Sequence, residues 1–84
     1  MVYDVGEKRV GKMLKLSRQY LNWIQNSVFE GEISDSKLEE FQINAKKLIN
    51  MEEDSIIIFK MTTDKYLKKK IIGVDKSELT SNFI

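Results

Sequence analysis

The chain has 84 residues, with 14 Lys and Arg against 13 Asp and Glu, a formal charge of +1. That length holds one small core burying roughly 60–65% of the unfolded surface, which excludes a multi-domain enzyme with an enclosed substrate cavity. Cysteine and histidine are both absent, so disulfides, zinc fingers, iron–sulfur clusters, thiol nucleophiles and imidazole chemistry are excluded. Any chemistry must come from carboxylates, hydroxyls, lysines and arginines. The longest apolar run, Ile56-Ile57-Ile58-Phe59, is far short of the roughly 20 residues that span a bilayer. The expectation is a single soluble, cytoplasmic domain over residues 1–84 with no membrane partner.

In chain order, Met1 to Val5 reads as a strand closed by Gly6. Val10, Met13, Leu14, Ser17 and Leu21 then recur at helical spacing, predicting a helix from near Glu7 with Lys8, Lys12 and Lys15 on its opposite side. Asn22 to Ile33 carries Trp23, Ile24, Val28, Phe29 and Ile33, and reads as one long bent strand or as two short ones in a hairpin. A second helix is expected from Ser34-Asp35-Ser36 to about Asn50, with Ser36 and Glu39 spaced as a capping box and Leu38, Phe41, Ala45 and Leu48 as its apolar stripe. Ser55 to Met61, with its unbroken Ile-Ile-Ile-Phe, predicts a strand covered on both faces. Thr63 to Lys70 suggests a short helical turn, and Ile71-Ile72-Gly73-Val74 a final edge strand. The tail ends in Asn82-Phe83-Ile84, more apolar than a solvated terminus needs. This order favours an α+β sandwich, with a ferredoxin-like antiparallel sheet and two helices on one face as the simplest fit.

Charge is unevenly distributed. Residues 1–29 hold five basic and two acidic side chains, residues 30–54 three and eight, and residues 55–84 six and three. The basic ends suit a phosphate backbone, although solvated helix faces carry charge in the same way. The segment from Gly6 to Met13 matches the phosphate-loop pattern GxxxxGK[ST] except at its last position, where Met13 supplies no hydroxyl. Nucleotide hydrolysis is therefore not expected. Asp4 is the acid of most interest, because it ends an otherwise apolar strand. It is either a cap for the following helix or a ligand for a hard cation. One Asp per chain is too little for magnesium alone, but two from a symmetric dimer would suffice. Arg9, in the first turn of the helix, could reach a phosphate near Asp4 or pair with Glu7 or another carboxylate. Trp23 and Phe29 favour packing over base stacking.

The run Val2-Tyr3-Asp4-Val5, then Glu7-Lys8-Arg9-Val10-Gly11-Lys12, then Trp23-Ile24-Gln25-Asn26-Ser27-Val28-Phe29-Glu30-Gly31-Glu32, resembles the CRISPR-associated protein two family. The similarity continues through Glu52-Glu53-Asp54-Ser55-Ile56-Ile57-Ile58 and Ile72-Gly73 to Asn82-Phe83-Ile84. This resemblance implies a ferredoxin-like homodimer in which a C-terminal strand and tail, residues 71–84 here, add to the partner's sheet. It implies Mg²⁺ as cofactor, with Asp4 of each subunit as its ligand, and associates Tyr3, Arg9 and Phe29 with activity. It further implies a metal-dependent endonuclease on single-stranded RNA or double-stranded DNA that also serves as the scaffold of the CRISPR adaptation integrase. Nucleic-acid contact is expected from Arg9, Lys12, Lys15 and Arg18. A scaffold without catalysis and a ribonuclease toxin of similar fold are the alternatives. Two departures stand out: only Met1 and Val2 precede the Tyr-Asp pair, and only Arg9 occupies a turn where many relatives carry further arginines.

Overall fold

A computed structural model of the protein describes residues 1–61 and 67–76. The elements run β1 (Val2–Asp4), α1 (Glu7–Arg18), β2 (Asn22–Gln25), β3 (Val28–Glu30), α2 (Asp35–Leu48), β4 (Ser55–Met61) and β5 (Leu67–Gly73). The strands form one sheet in the order β2-β3-β1-β4-β5, antiparallel throughout. The first four strands and two helices have the ferredoxin-like arrangement, with β5 added outside β4.

Directly paired residues share a sheet face, so the register sorts the side chains. Tyr3 pairs with Ile56 and Ile56 with Ile72. These three join Phe29, Ile58, Met13, Phe41 and Ala45 in the core between the sheet and the two helices. Val2, Ile57 and Ile71 lie side by side across three strands on the other face, which carries no helix. Asp4, Ser55 and Gly73 form the next row on that same face. Ile56, Ile57 and Ile58 are all buried, as a strand covered on both faces requires.

Several expectations are refined. The Asn22–Ile33 segment is a hairpin, turned by Asn26 in the left-handed region at φ 46°, a conformation Asn tolerates better than most residues. Val10 lies at the edge of the α1 stripe and is exposed, while Met13 and Ser17 are fully buried. Helix α2 is capped by Ser34 rather than by a Ser36–Glu39 box: the Lys37 amide donates to Ser34 Oγ at 3.2 Å. Ser36 already lies inside the first turn, two residues past the cap position, so it does not start the helix. Leu67–Lys70 is strand rather than helical turn, and residues 62–66 of that proposed turn lie outside the described residues. The triple lysine hid the strand, because charged side chains on both faces erase the alternation that marks one; lysines are also what guards an exposed sheet edge. Ile71–Gly73 pair with β4 of their own chain, and the tail from residue 77 onward lies outside the described residues.

Gly73 ends β5 at φ 86°. A Cβ there would lie 2.2 Å from the Asp54 carbonyl oxygen, which accepts a hydrogen bond from the Val74 amide at 2.8 Å. Both the backbone conformation and the close crossing require glycine. Gly73→Ala is expected to cost about 2–4 kcal/mol, read as a lowered urea midpoint.

Candidate functional site

The end of β1, the start of α1, the turn between α2 and β4 and the end of β5 meet at one corner of the sheet. Their junction is Asp54, whose side chain is 1% exposed. Its Oδ1 accepts from the Gly6 amide at 2.9 Å and from Arg9 Nη2 at 3.0 Å. Its Oδ2 accepts from Arg9 Nε at 2.6 Å and from the Asn50 amide at 2.8 Å. Four donors satisfy a carboxylate almost completely, which is the condition for burying one. Arg9 Nη2 also reaches Glu53 Oε2 at 3.1 Å. Of the roles open to Arg9, the structure therefore shows pairing with carboxylates, to Asp54 and Glu53 rather than Glu7.

The Arg9 hydrogen bond, helped by the Asn50 and Gly6 amides and opposed by desolvation, holds the Asp54 carboxyl well below the usual carboxylate range. A depressed folded-state pKa stabilises the fold fully above the unfolded value near 4, and that stabilisation disappears as pH falls through the lower folded value. Stability measured by urea unfolding is expected to hold between pH 7 and 5 and to fall steeply below about pH 4, with a flatter acid limb in Asp54→Asn. Asp35 is shifted in the same direction by Lys60, but on the surface, where solvent leaves such a pair little weight.

Asp4 lies next to this junction on the helix-free face. It does not cap α1; Gly6 takes the cap position, with no side-chain hydrogen bond. The Asp4 carboxylate is 52% exposed and accepts a hydrogen bond from Lys76 Nζ at 2.9 Å. The same ammonium donates to the Glu53 backbone carbonyl at 3.0 Å. Ser55, directly across from Asp4 in the register, is fully buried, and its hydroxyl has no partner among the described residues. A hard cation takes carboxylate, carbonyl and hydroxyl oxygens, and magnesium keeps several waters beside one or two carboxylates. The donors around Asp4 fit that demand in kind. No group of three acidic metal ligands occurs among the described residues.

Tyr3 and Phe29 are 3% and 0% exposed and stack with ring centroids 6.1 Å apart. They lie on the helix side of the sheet, opposite Asp4. Burial pushes the Tyr3 phenol up from its ordinary value, so it stays neutral at physiological pH. Both rings reach the Asp4 side only through the strands they anchor. Lys12, Lys15 and Arg18 are exposed on α1, and since each step of three falls about 60° short of a full turn, they wind from the Arg9 side of the helix toward its far side. The Arg18 guanidinium stands 6.0 Å from the Trp23 ring centroid, and Trp23 Nε1 donates to the Asn26 carbonyl at 2.9 Å. The structure thus joins Asp4 and Arg9 at one corner, winds the basic residues of α1 away from it, and keeps Tyr3 and Phe29 behind the sheet.

Asp54, Ser55, Lys76 and the Glu53 carbonyl are site components that sequence reasoning missed. One signal was available for Asp54: it stands immediately before an unbroken apolar strand, where a side chain enters the core.

Fold and site define a small ferredoxin-like protein whose central strand delivers a solvent-facing carboxylate beside a basic helix. The family model described as CRISPR associated protein Cas2 matches residues 1–69. A protein from Dictyoglomus turgidum named CRISPR-associated endoribonuclease Cas2 is 47% identical over 78 residues, covering 93% of this chain and 90% of the relative. A protein of the same name from Thermotoga maritima shows the same identity and coverage. Among solved structures, one described as the crystal structure of cas2 superposes with a TM-score of 0.61 at 35% identity, covering 89% of this chain and 72% of the other. The chain belongs to the Cas2 family of CRISPR-associated proteins. Among the described residues no helix is long and apolar enough to cross a membrane.

Proposed function

We propose that the protein is a magnesium-dependent endonuclease of CRISPR adaptation, cutting phosphodiester bonds in single-stranded RNA or double-stranded DNA. It works as a homodimer that brings one Asp4 from each chain to a shared cation. The observation that carries this reading is the position of Asp4: an exposed carboxylate at the end of the central strand, facing away from the helices, beside a Ser55 hydroxyl with no partner among the described residues. The names of the relatives support the nuclease activity.

When bound, Mg²⁺ would polarise the scissile phosphate and lower the pKa of an attacking water. Asp4 would hold the cation, with the remaining positions left to water and substrate oxygens. Arg9, bonded to Asp54 and Glu53, ties the start of α1 to the turn before β4 and so holds the corner beside Asp4. Lys12, Lys15 and Arg18 would take the neighbouring phosphates as point contacts and fix the strand without reading its bases. Labelled single-stranded RNA and duplex DNA incubated with the protein should be cut with Mg²⁺ and left intact with a chelator. Cleavage that continues in chelator would overturn the metal reading.

The exposed basic residues on α1 favour a second reading, a DNA-binding scaffold for the adaptation integrase that needs no catalysis of its own. The two readings are compatible, and they separate at Asp4, which only the first requires.

A further inference from the structure

Lys76 bonds Asp4 directly, yet it belongs to neither the basic helix nor the β5 lysine run. Its ammonium lies between two oxygens from different segments, Asp4 Oδ2 at 2.9 Å and the Glu53 carbonyl at 3.0 Å. Side chain and carbonyl come together only because β5 ends at Gly73 and the chain turns back past Asp54, to which Val74 is hydrogen-bonded. The lysine side chain is 27% exposed, more sheltered than an ordinary surface lysine. Across from Asp4 in the sheet register lies Ser55, with a buried hydroxyl that has no partner among the described residues.

We propose that the Lys76 ammonium is a built-in occupant of the cation position at Asp4, so that a divalent ion binds there only by displacing it. The inference rests on the proposed cation role of Asp4 and adds three groups to that position: the Glu53 carbonyl, the Ser55 hydroxyl and the lysine that holds it closed. An ammonium contacts oxygens near 2.9 Å, whereas magnesium and calcium contact them at about 2.1–2.6 Å. Both cannot share the same two oxygens, and two cations at such separation repel. Exchange is therefore forced. Without a divalent ion the lysine neutralises Asp4, and the protein is held closed to metal until the ion concentration or a bound polyanion draws Lys76 away. A phosphate backbone is well suited to do this, since it offers the freed ammonium a partner of the same charge as the carboxylate it leaves.

The test is Mn²⁺ binding, followed by electron paramagnetic resonance, to wild type, Lys76→Met, Asp4→Asn and the double variant. Methionine keeps the length and apolar stem of lysine and removes the charge. Lys76→Met is expected to bind Mn²⁺ about five- to tenfold more tightly than wild type, and the Asp4→Asn change is expected to abolish the gain. The Mg²⁺ concentration for half-maximal cleavage should fall by the same factor. A second measurement needs no variant: in wild type titrated with Mg²⁺, the Lys76 side-chain ammonium resonance should move to the position of a solvated lysine. Equal Mn²⁺ affinity in wild type and Lys76→Met, with an unmoved ammonium signal, overturns this inference and leaves the nuclease reading standing. Failure of every variant to bind Mn²⁺, with cleavage that persists in chelator, overturns both.

Discussion

Asp54→Ala is expected to lower stability by about 3–4 kcal/mol, the largest effect of any single substitution considered for this chain. Loss of one partner of a buried pair costs about 3–5 kcal/mol when the other is left unpaired in the interior. Here the lower part of that range applies, because Arg9 is a quarter exposed and keeps Glu53. The cost comes mainly from the two amides. Gly6 and Asn50 each lose an acceptor at a buried corner, and an unsatisfied buried donor costs about 1–3 kcal/mol. A domain of this size has about 4–13 kcal/mol in total, so the change removes a large fraction of it. At about 4–8 °C per kcal/mol, the melting temperature should fall by roughly 15–25 °C. Arg9→Ala should be milder, since Asp54 then keeps both amide donors and only the guanidinium is missing. Thermal and urea unfolding of the two single variants and the double variant measure this asymmetry directly. Equal losses for Arg9→Ala and Asp54→Ala would show that the ion pair itself, rather than the capture of two loop amides, supplies the stability.

The same junction explains which parts of the site could be read from sequence. Asp4 was legible because the signal is local: an acid ending an apolar strand has nowhere to go but a functional or capping position. Both helices were legible from stripes at Met13 and Ser17 and at Phe41 and Ala45, since packing on one sheet face imposes the period. The choice between a long strand and a hairpin turned on Asn26, a single residue whose left-handed conformation no periodicity reveals. Asp54 stayed hidden because it closes the acidic run Glu52-Glu53-Asp54, which looks like a solvated turn. It becomes a core residue only when Arg9 arrives from 45 positions earlier. Lys76 meets Asp4 across 72 positions, and only the folded sheet brings such groups together. Strand β5 is legible only in its second half: Ile71 and Ile72 read as an edge strand, whereas Lys68, Lys69 and Lys70 carry no alternation to mark the first half.

Asp4→Asn is expected to abolish nuclease activity, by about a hundredfold or more, without loss of fold. An amide replaces the carboxylate at nearly the same volume, but its neutral oxygen is a far weaker ligand for a hard cation. Little structural cost is expected, because the Asp4 side chain is half exposed, caps no helix and among the described residues bonds to Lys76. An exposed pair of this kind contributes about 0–1 kcal/mol, so thermal melts of variant and wild type should nearly coincide. This separates Asp4 from Asp54, whose replacement removes activity by unfolding the corner beside Asp4. Duplex binding supplies the decisive contrast. The basic set of Lys12, Lys15 and Arg18 is untouched by the substitution, and removing a negative charge should, if anything, slightly strengthen the grip on phosphates. A variant that binds duplex DNA as well as wild type, melts with it and no longer cuts makes Asp4 the catalytic cation ligand. If wild type itself cuts nothing while both proteins bind duplex equally, the basic helix rather than the acidic strand end carries the function, and the scaffold reading replaces the nuclease one.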